Sequence, residues 1–250
     1  MLKSNTHFVG TARQLDTANQ LINQTNIDIW KTYPITSPLV HGHIGGQLDK
    51  AYANNSDNKR FKIGNIGEHV FAGMLQDNGL LDHFHSFWSL AMPDAHGNKH
   101  PQLDIDIDAI FIIGHTIYIV DVKNYSAGET SVYSSSDDGV SVFEHDTDTG
   151  ELISIRQTSS TLKIADESLT AMLEHHGLDH YSIEPVVVFV PTKNGEPKIK
   201  LGSLWNNFAV MRTASRQISI LHREISPADE TNHDIPTFEH MFMPLLSNGR

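Results

Sequence analysis

The chemistry-bearing part of this 250-residue sequence is one short segment, Gln102 to Asn124, QLDIDIDAIFIIGHTIYIVDVKN. Two β-prone apolar runs flank Gly114-His115, and glycine at the first of two turn residues suits a type II′ hairpin. With that two-residue turn, the numbers of facing residues sum to 229, so Asp108 faces Asp121 and Asp106 faces Lys123. A four-residue loop on the same centre keeps these pairs, whereas a three-residue loop breaks them. Carboxylates facing each other across a ladder have Cβ atoms about 5 Å apart, and like charges there destabilise the sheet. The neighbours are apolar on both faces (Ala109, Ile110, Phe111, Ile112, Ile117, Tyr118, Ile119, Val120). The pair is therefore expected inside a buried sheet, where uncompensated like charge is unfavourable by several kcal/mol per ion, on the order of magnitude usual for such sites. A hard cation such as Mg²⁺ resolves the conflict, since it takes one or two carboxylates plus waters. Lys123, two residues beyond Asp121, projects from the same face and is placed to hold a water or a phosphate oxygen. Two acids, a metal and a lysine are the parts needed to hydrolyse a phosphodiester.

Two plainer arrangements compete. Asp121 and Lys123 could be the solvated end of a strand, with Asp106 as a surface ion-pair partner. Asp104, Asp106 and Asp108 also occupy positions 1, 3 and 5 of a calcium loop. That loop fails at Ala109, where glycine is needed, and at His115, where a bidentate glutamate is needed.

The elements that must hold this hairpin follow from periodicity and punctuation. Residues 11–31 read as a helix, and residues 39–60, rich in Gly, Asn and Asp, as a loop. Val70, Phe71, Met74 and Leu75 predict a helix over 64–78 that ends at Gly79. Strands are expected at 84–90, 103–113, 116–124, 131–134, 140–144 and 152–155. Leu162, Ile164, Leu169 and Met172 predict a helix over 156–175. The apolar run 185–190 suits a strand covered on both faces. One more strand is expected within 199–210 and a last helix over 214–224. This order implies an α/β fold with a mixed central sheet flanked by helices.

Composition narrows the function. The chain has no cysteine, which excludes a disulfide scaffold, a thiolate zinc site and a cysteine nucleophile and fits a reducing, cytoplasmic setting. No apolar run approaches the roughly 20 residues of a membrane helix, and no secretory core opens the chain. A net charge of −12 speaks against a simple basic nucleic-acid binder. The charge is uneven, however. Seven acidic and no basic residues lie between Glu129 and Glu151, while Lys59, Arg60 and Lys62, and again Lys193, Lys198 and Lys200, form small basic groups. Local fields of either sign are compatible with that balance. Among the 16 histidines, His41/His43, His83/His85 and His175/His176 are close in sequence, but none has the i, i+4 spacing of a zinc helix. They read as scattered surface residues, and zinc is not expected.

Five stretches, in order, resemble the nuclease-related domain family, a branch of the PD-(D/E)xK nuclease-like superfamily. Gly64-Asn65-Ile66-Gly67-Glu68 is similar to its G-x-x-G-E helix start, and 103–108 to its aspartate strand. Asp121-Val122-Lys123-Asn124-Tyr125 is similar to its E-x-K-N-Y run, at the family's separation of thirteen residues from Asp108. Ile155-Arg156-Gln157 resembles its N-P-x-x-Q element opening the next helix, and 186–189 the strand that follows. The likeness covers roughly residues 62–222. It implies a restriction-endonuclease-like core over 61–224, with an N-terminal helical extension and loop over 1–60 and a C-terminal tail over 225–250. It also implies roles: Asp108, Asp121 and Glu68 as metal ligands, Lys123 beside the attacking water, and Gln157 as a support from the next helix. The face that Glu68 shares with Phe71 and Leu75 agrees with its pointing toward the sheet. There are departures. Asp121 stands for the commoner glutamate, Ala109 where histidine is frequent, and Ile153 and Ser154 where the asparagine and proline belong.

Two functions fit these residues. One is a Mg²⁺-dependent nuclease acting on DNA, with Mn²⁺ as a substitute. The other is a catalytically silent module on the same fold that binds nucleic acid or a protein, which the acidic charge and the missing histidine favour.

Overall fold

The computed structural model describes residues 34–46, 59–93, 105–125, 130–192, 194–225 and 232–246. The helix expected over 11–31 lies outside them, as do Asp104 and Lys193. Helix α1 runs Lys59–Asp77, beginning at Lys59 rather than at residue 64, and Gly79 follows it with a positive φ of 68°. Strands β2 (His85–Met92), β3 (Ile105–Ile113) and β4 (Thr116–Lys123) then form an antiparallel meander. The β3–β4 register is Ile113 on Thr116 through Ala109 on Val120, so the facing pairs sum to the expected 229. Gly114 has φ 56°, and its successor His115 is not among the residues with positive φ, as a II′ turn requires.

After β4 the chain builds a second, smaller sheet from β5 (Ser131–Ser135), β6 (Ser141–Asp146) and β7 (Leu152–Gln157). Helix α2 (Thr161–His176) then leads into β8 (Ser182–Phe189), which pairs in parallel with β4. This is the right place for the valine-rich run, since Val186–Val190 are all buried. The expected strand within 199–210 is broken into β9 (Lys198–Ile199) and β10 (Leu204–Trp205), and β11 (Ala209–Thr213) follows. Gly202, Asn206 and Asn207 adopt positive φ and interrupt it. Helix α3 is Ala214–Glu224 and helix α4 is Ile235–Phe242.

The main sheet has the order β1-β2-β3-β4-β8-β11-β10, where β1 is Val40–Gly42, and the smaller one β7-β6-β5-β9. Alternation along the strands splits the core into two faces. Ala109, Phe111, Tyr118, Val120, Val122 and Val188 meet α1 (Phe71, Leu75) and α3 (Ile218, Leu221). Ile110, Ile112, Ile117, Ile119, Val187 and Phe189 meet α2 (Leu162, Leu169), α4 (Phe238, Phe242) and Tyr133 of the smaller sheet. The result is an α/β fold with a mixed central sheet covered by helices on both sides.

Three boundaries differ from expectation. Val40–Gly42 is not loop but the edge strand β1, parallel to β2. Residues 235–242 are not tail but a helix that buries Phe238, Met241 and Phe242. Residues 152–157 stay extended through Gln157 because Ser154 to Gln157, with the β-branched Ile155 among them, pair with β6, and Thr158-Ser159-Ser160 is the break before α2.

Candidate active site

Asp108 sits where the backbone ladders fail. Pairing of β2 with β3 runs from His85–Ile112 to Met92–Ile105 but skips Ser89–Asp108. Ser89, buried in the middle of β2, has a φ of 57°, a conformation unfavourable by about 1–2 kcal/mol for a residue with a Cβ. On the other side the β3–β4 ladder ends at Ala109–Val120. Into that gap goes the Asp108 carboxylate, whose Oδ2 accepts the Val122 N–H at 2.6 Å in place of a strand carbonyl.

Alternation from Ile110 and Ile119 puts Asp108, Asp121 and Lys123 on the face shared with α2 and the smaller sheet. Asp108 and Asp121 are close enough that the charge of one opposes ionisation of the other, and Lys123 Nζ donates to Asp121 Oδ1 at 2.7 Å. Burial first, and then the Asp121 charge, push the Asp108 carboxyl up to about 8, against the pull of Lys123 and the Val122 N–H. At neutral pH the fold therefore favours the protonated form of Asp108. Burial works against the Lys123 ammonium, but Asp121 and Asp108 together outweigh it and hold its pKa above the usual lysine range. Lys123 is thus a fixed positive charge, not a base. It also lies 5.2 Å from the centre of the Trp205 ring, and Arg156 stacks 4.4 Å over Tyr125. Tyr125 feels both Lys123 and Asp121, so this stack borders the site.

Gly67, inside α1, is glycine because of what packs against it. A Cβ there would come within 2.9 Å of the Asn124 Cβ, so α1 lies directly on the end of β4. The next residue, Glu68, is 2 % exposed, and its Oε2 accepts the Gly45 N–H at 3.0 Å. Asn65 Nδ2 donates to the Gly45 carbonyl at 3.0 Å, so one helical turn clamps both backbone polar groups of Gly45. Glu68 was expected to ligate metal with the aspartates. Among the described residues, though, the only three His, Asp or Glu side chains with ligand atoms all within 4.8 Å of one another are His41, His85 and Glu239. The structure brings Asp108, Asp121 and Lys123 together and sets Glu68 against the Gly45 turn. Gln157 is not at a helix start: it ends β7, is exposed, and donates to Ser141 Oγ at 3.1 Å. Ala109, where histidine is frequent, faces α1 on the opposite side of the sheet from the aspartates, so this departure removes no group from their face.

Sequence reasoning missed Ser89 and Trp205, which no local pattern marks. Arg156 and Tyr125 lay in quoted runs, but only the fold brings them into contact.

A comparison with known families matches residues 63–190, just over half of the chain, to the nuclease-related domain. No curated protein and no solved structure matches the chain. The matched span opens at α1 and closes at the end of β8, taking in Glu68, Asp108, Asp121, Lys123 and Gln157. The chain belongs to the nuclease-related domain family.

Proposed function

We propose that this domain hydrolyses phosphodiester bonds in DNA, using Mg²⁺ or Mn²⁺ held by Asp108 and Asp121, in the cytoplasm. Family membership supports the coarser part, a nuclease-related function with nucleic acid as partner. The observation that carries the finer reading is the convergence of two acids and a lysine: the Asp121 charge opposes ionisation of the buried Asp108, and the Lys123 ammonium lies 2.7 Å from Asp121. Two oxygen donors forced together until one must keep its proton fit a hard divalent cation, whose charge does what the proton does. Such a cation, when bound, lowers the pKa of a water and neutralises charge building on phosphate.

The chain's own residues supply the rest. Lys123, permanently charged, donates to a phosphate oxygen or to the attacking water and holds it in line. The Val122 N–H fixes one Asp108 oxygen and leaves the other to turn toward the substrate side. Arg156, stacked on Tyr125, offers a second cation to a neighbouring phosphate. Glu68 and Gln157 act as positioning residues, Glu68 through the Gly45 peptide and Gln157 through Ser141. A catalytically silent binding module remains the second reading, favoured by the net charge of −12.

Supercoiled plasmid incubated with Mg²⁺ or Mn²⁺ separates the two. The nuclease reading expects nicking by the wild type and its loss in both Asp108→Ala and Lys123→Ala. Equal nicking by all three proteins removes the site assignment. No cleavage by any, with binding that weakens steeply as salt rises, selects the binding module.

A further inference from the structure

At the far edge of the sheet, three side chains distant in sequence converge. We propose that His41, His85 and Glu239 form a second metal site, taking a transition-metal ion of the Zn²⁺ class, that clips the edge strand β1 to helix α4. His41 Nε2 lies 3.0 Å from His85 Nδ1, and Glu239 Oε1 lies 3.8 Å from the first and 4.0 Å from the second. Parallel pairing of β1 with β2 sets the two rings side by side, with planes 12° apart. His41 is locked further by stacking on Phe87, at 4.6 Å and 16°.

Three features favour a cation over a plain hydrogen-bond cluster. One proton satisfies the two facing nitrogens, yet the Glu239 oxygen stays beyond hydrogen-bond reach of both. Burial lowers the pKa of both histidines, His85 further through His41, which keeps the imidazoles neutral and ready to ligate. The distances also suit an ion. Ligand bonds of about 2.0–2.2 Å place tetrahedral donors roughly 3.3 Å apart. The nitrogens are already near that spacing, and the Glu239 side chain, 42 % exposed, has room to close the remainder. Two imidazoles and one carboxylate leave a coordination position for water, and nitrogen donors select a borderline ion over Mg²⁺. His41 and Glu239 both lie outside the span matched to the family. The site would therefore join two segments added at opposite ends of the core, independently of the Asp108 pair.

The test uses the whole chain, stripped with a chelator and titrated with Zn²⁺ and Co²⁺ by calorimetry, visible absorption and thermal melting. The expected result is one equivalent of Zn²⁺ bound, a raised Tm, and visible bands of four-coordinate Co²⁺. All three should be lost in His85→Gln and retained in a His175→Gln/His176→Gln control. Glu239→Gln, a substitution on a half-exposed side chain that leaves both rings in place, should weaken Zn²⁺ binding about tenfold or more. This variant keeps the test decisive if His85→Gln fails to fold. Equal stoichiometry, affinity and Tm shift in the wild type and Glu239→Gln would overturn the proposal, as would no binding by the wild type.

Discussion

Replacing Asp108 by asparagine should make the metal-free protein more stable while removing its chemistry. The Asp108 carboxyl is raised from 3.8 to about 8 in the fold, by burial and by Asp121. A folded state that holds a proton more tightly than the unfolded chain loses stability as pH rises between the two values. The loss therefore starts near pH 4 and is complete above about pH 8. At pH 7 the wild type would have lost at most about 4 kcal/mol, at 1.36 kcal/mol per pH unit. Asp108 lies at a partly open rim where side chains and water relax, so a gain of roughly 1–3 kcal/mol is expected from the neutral isostere. For a chain of this size that is a Tm increase of about 2–10 °C. Asparagine keeps an acceptor for the Val122 N–H, now 2.6 Å from Asp108 Oδ2, and can donate to Asp121. The assay is thermal or urea melting of both proteins in EDTA from pH 5 to 9. The two stabilities should diverge as pH rises and converge toward pH 4, and Mg²⁺ should restore the wild type but not the variant. An asparagine variant less stable at every pH, or a gap that ignores pH, refutes the electrostatic reasoning.

Lys123→Met should lower stability by about 1–2 kcal/mol in EDTA at pH 8, because Asp121 loses its 2.7 Å partner, and Mg²⁺ should recover most of it. A melt showing no metal rescue counts against the shared site. Mg²⁺ affinity should rise with pH through about 8, as Asp108 gives up its proton, with proton release visible by calorimetry in buffers of different ionisation enthalpy. An affinity flat between pH 6 and 9 contradicts this. Gly67→Ala should destabilise by roughly 1–3 kcal/mol and reduce nicking, since its Cβ would meet Asn124 at 2.9 Å. Gly79→Ala, with φ +68° and open space around it, should give only backbone strain of about 1 kcal/mol and full nicking.

What the sequence revealed and what it hid divide along local and non-local lines. The hairpin register was readable because glycine at a two-residue turn fixes the pairing, and Ile113 does meet Thr116. That placed Asp108 beside Asp121. The interruption that gives Asp108 its setting was not readable, because it depends on Ser89 of a different strand adopting φ 57°. Helix α4 did carry signals, Pro236 in its first turn and Phe238, Met241, Phe242 and Leu245 at helical spacing, and these went unread. The histidines were grouped by nearness in sequence, His41 with His43 and His83 with His85. The structure instead joins His41 to His85 across parallel strands, and Glu239 joins from the last helix. A three-residue edge strand has too little pattern to announce such a partner. Glu68 is buried, as its helical face implied, and it accepts the Gly45 N–H from a segment that periodicity cannot name.

The most direct measurement is anomalous diffraction from a crystal of the wild-type chain soaked in Mn²⁺. A peak within about 2.3 Å of one oxygen each from Asp108 and Asp121 is predicted, absent from Asp108→Asn crystals treated alike. Full Mn²⁺ occupancy elsewhere, with no peak between the two carboxyls, would contradict the account.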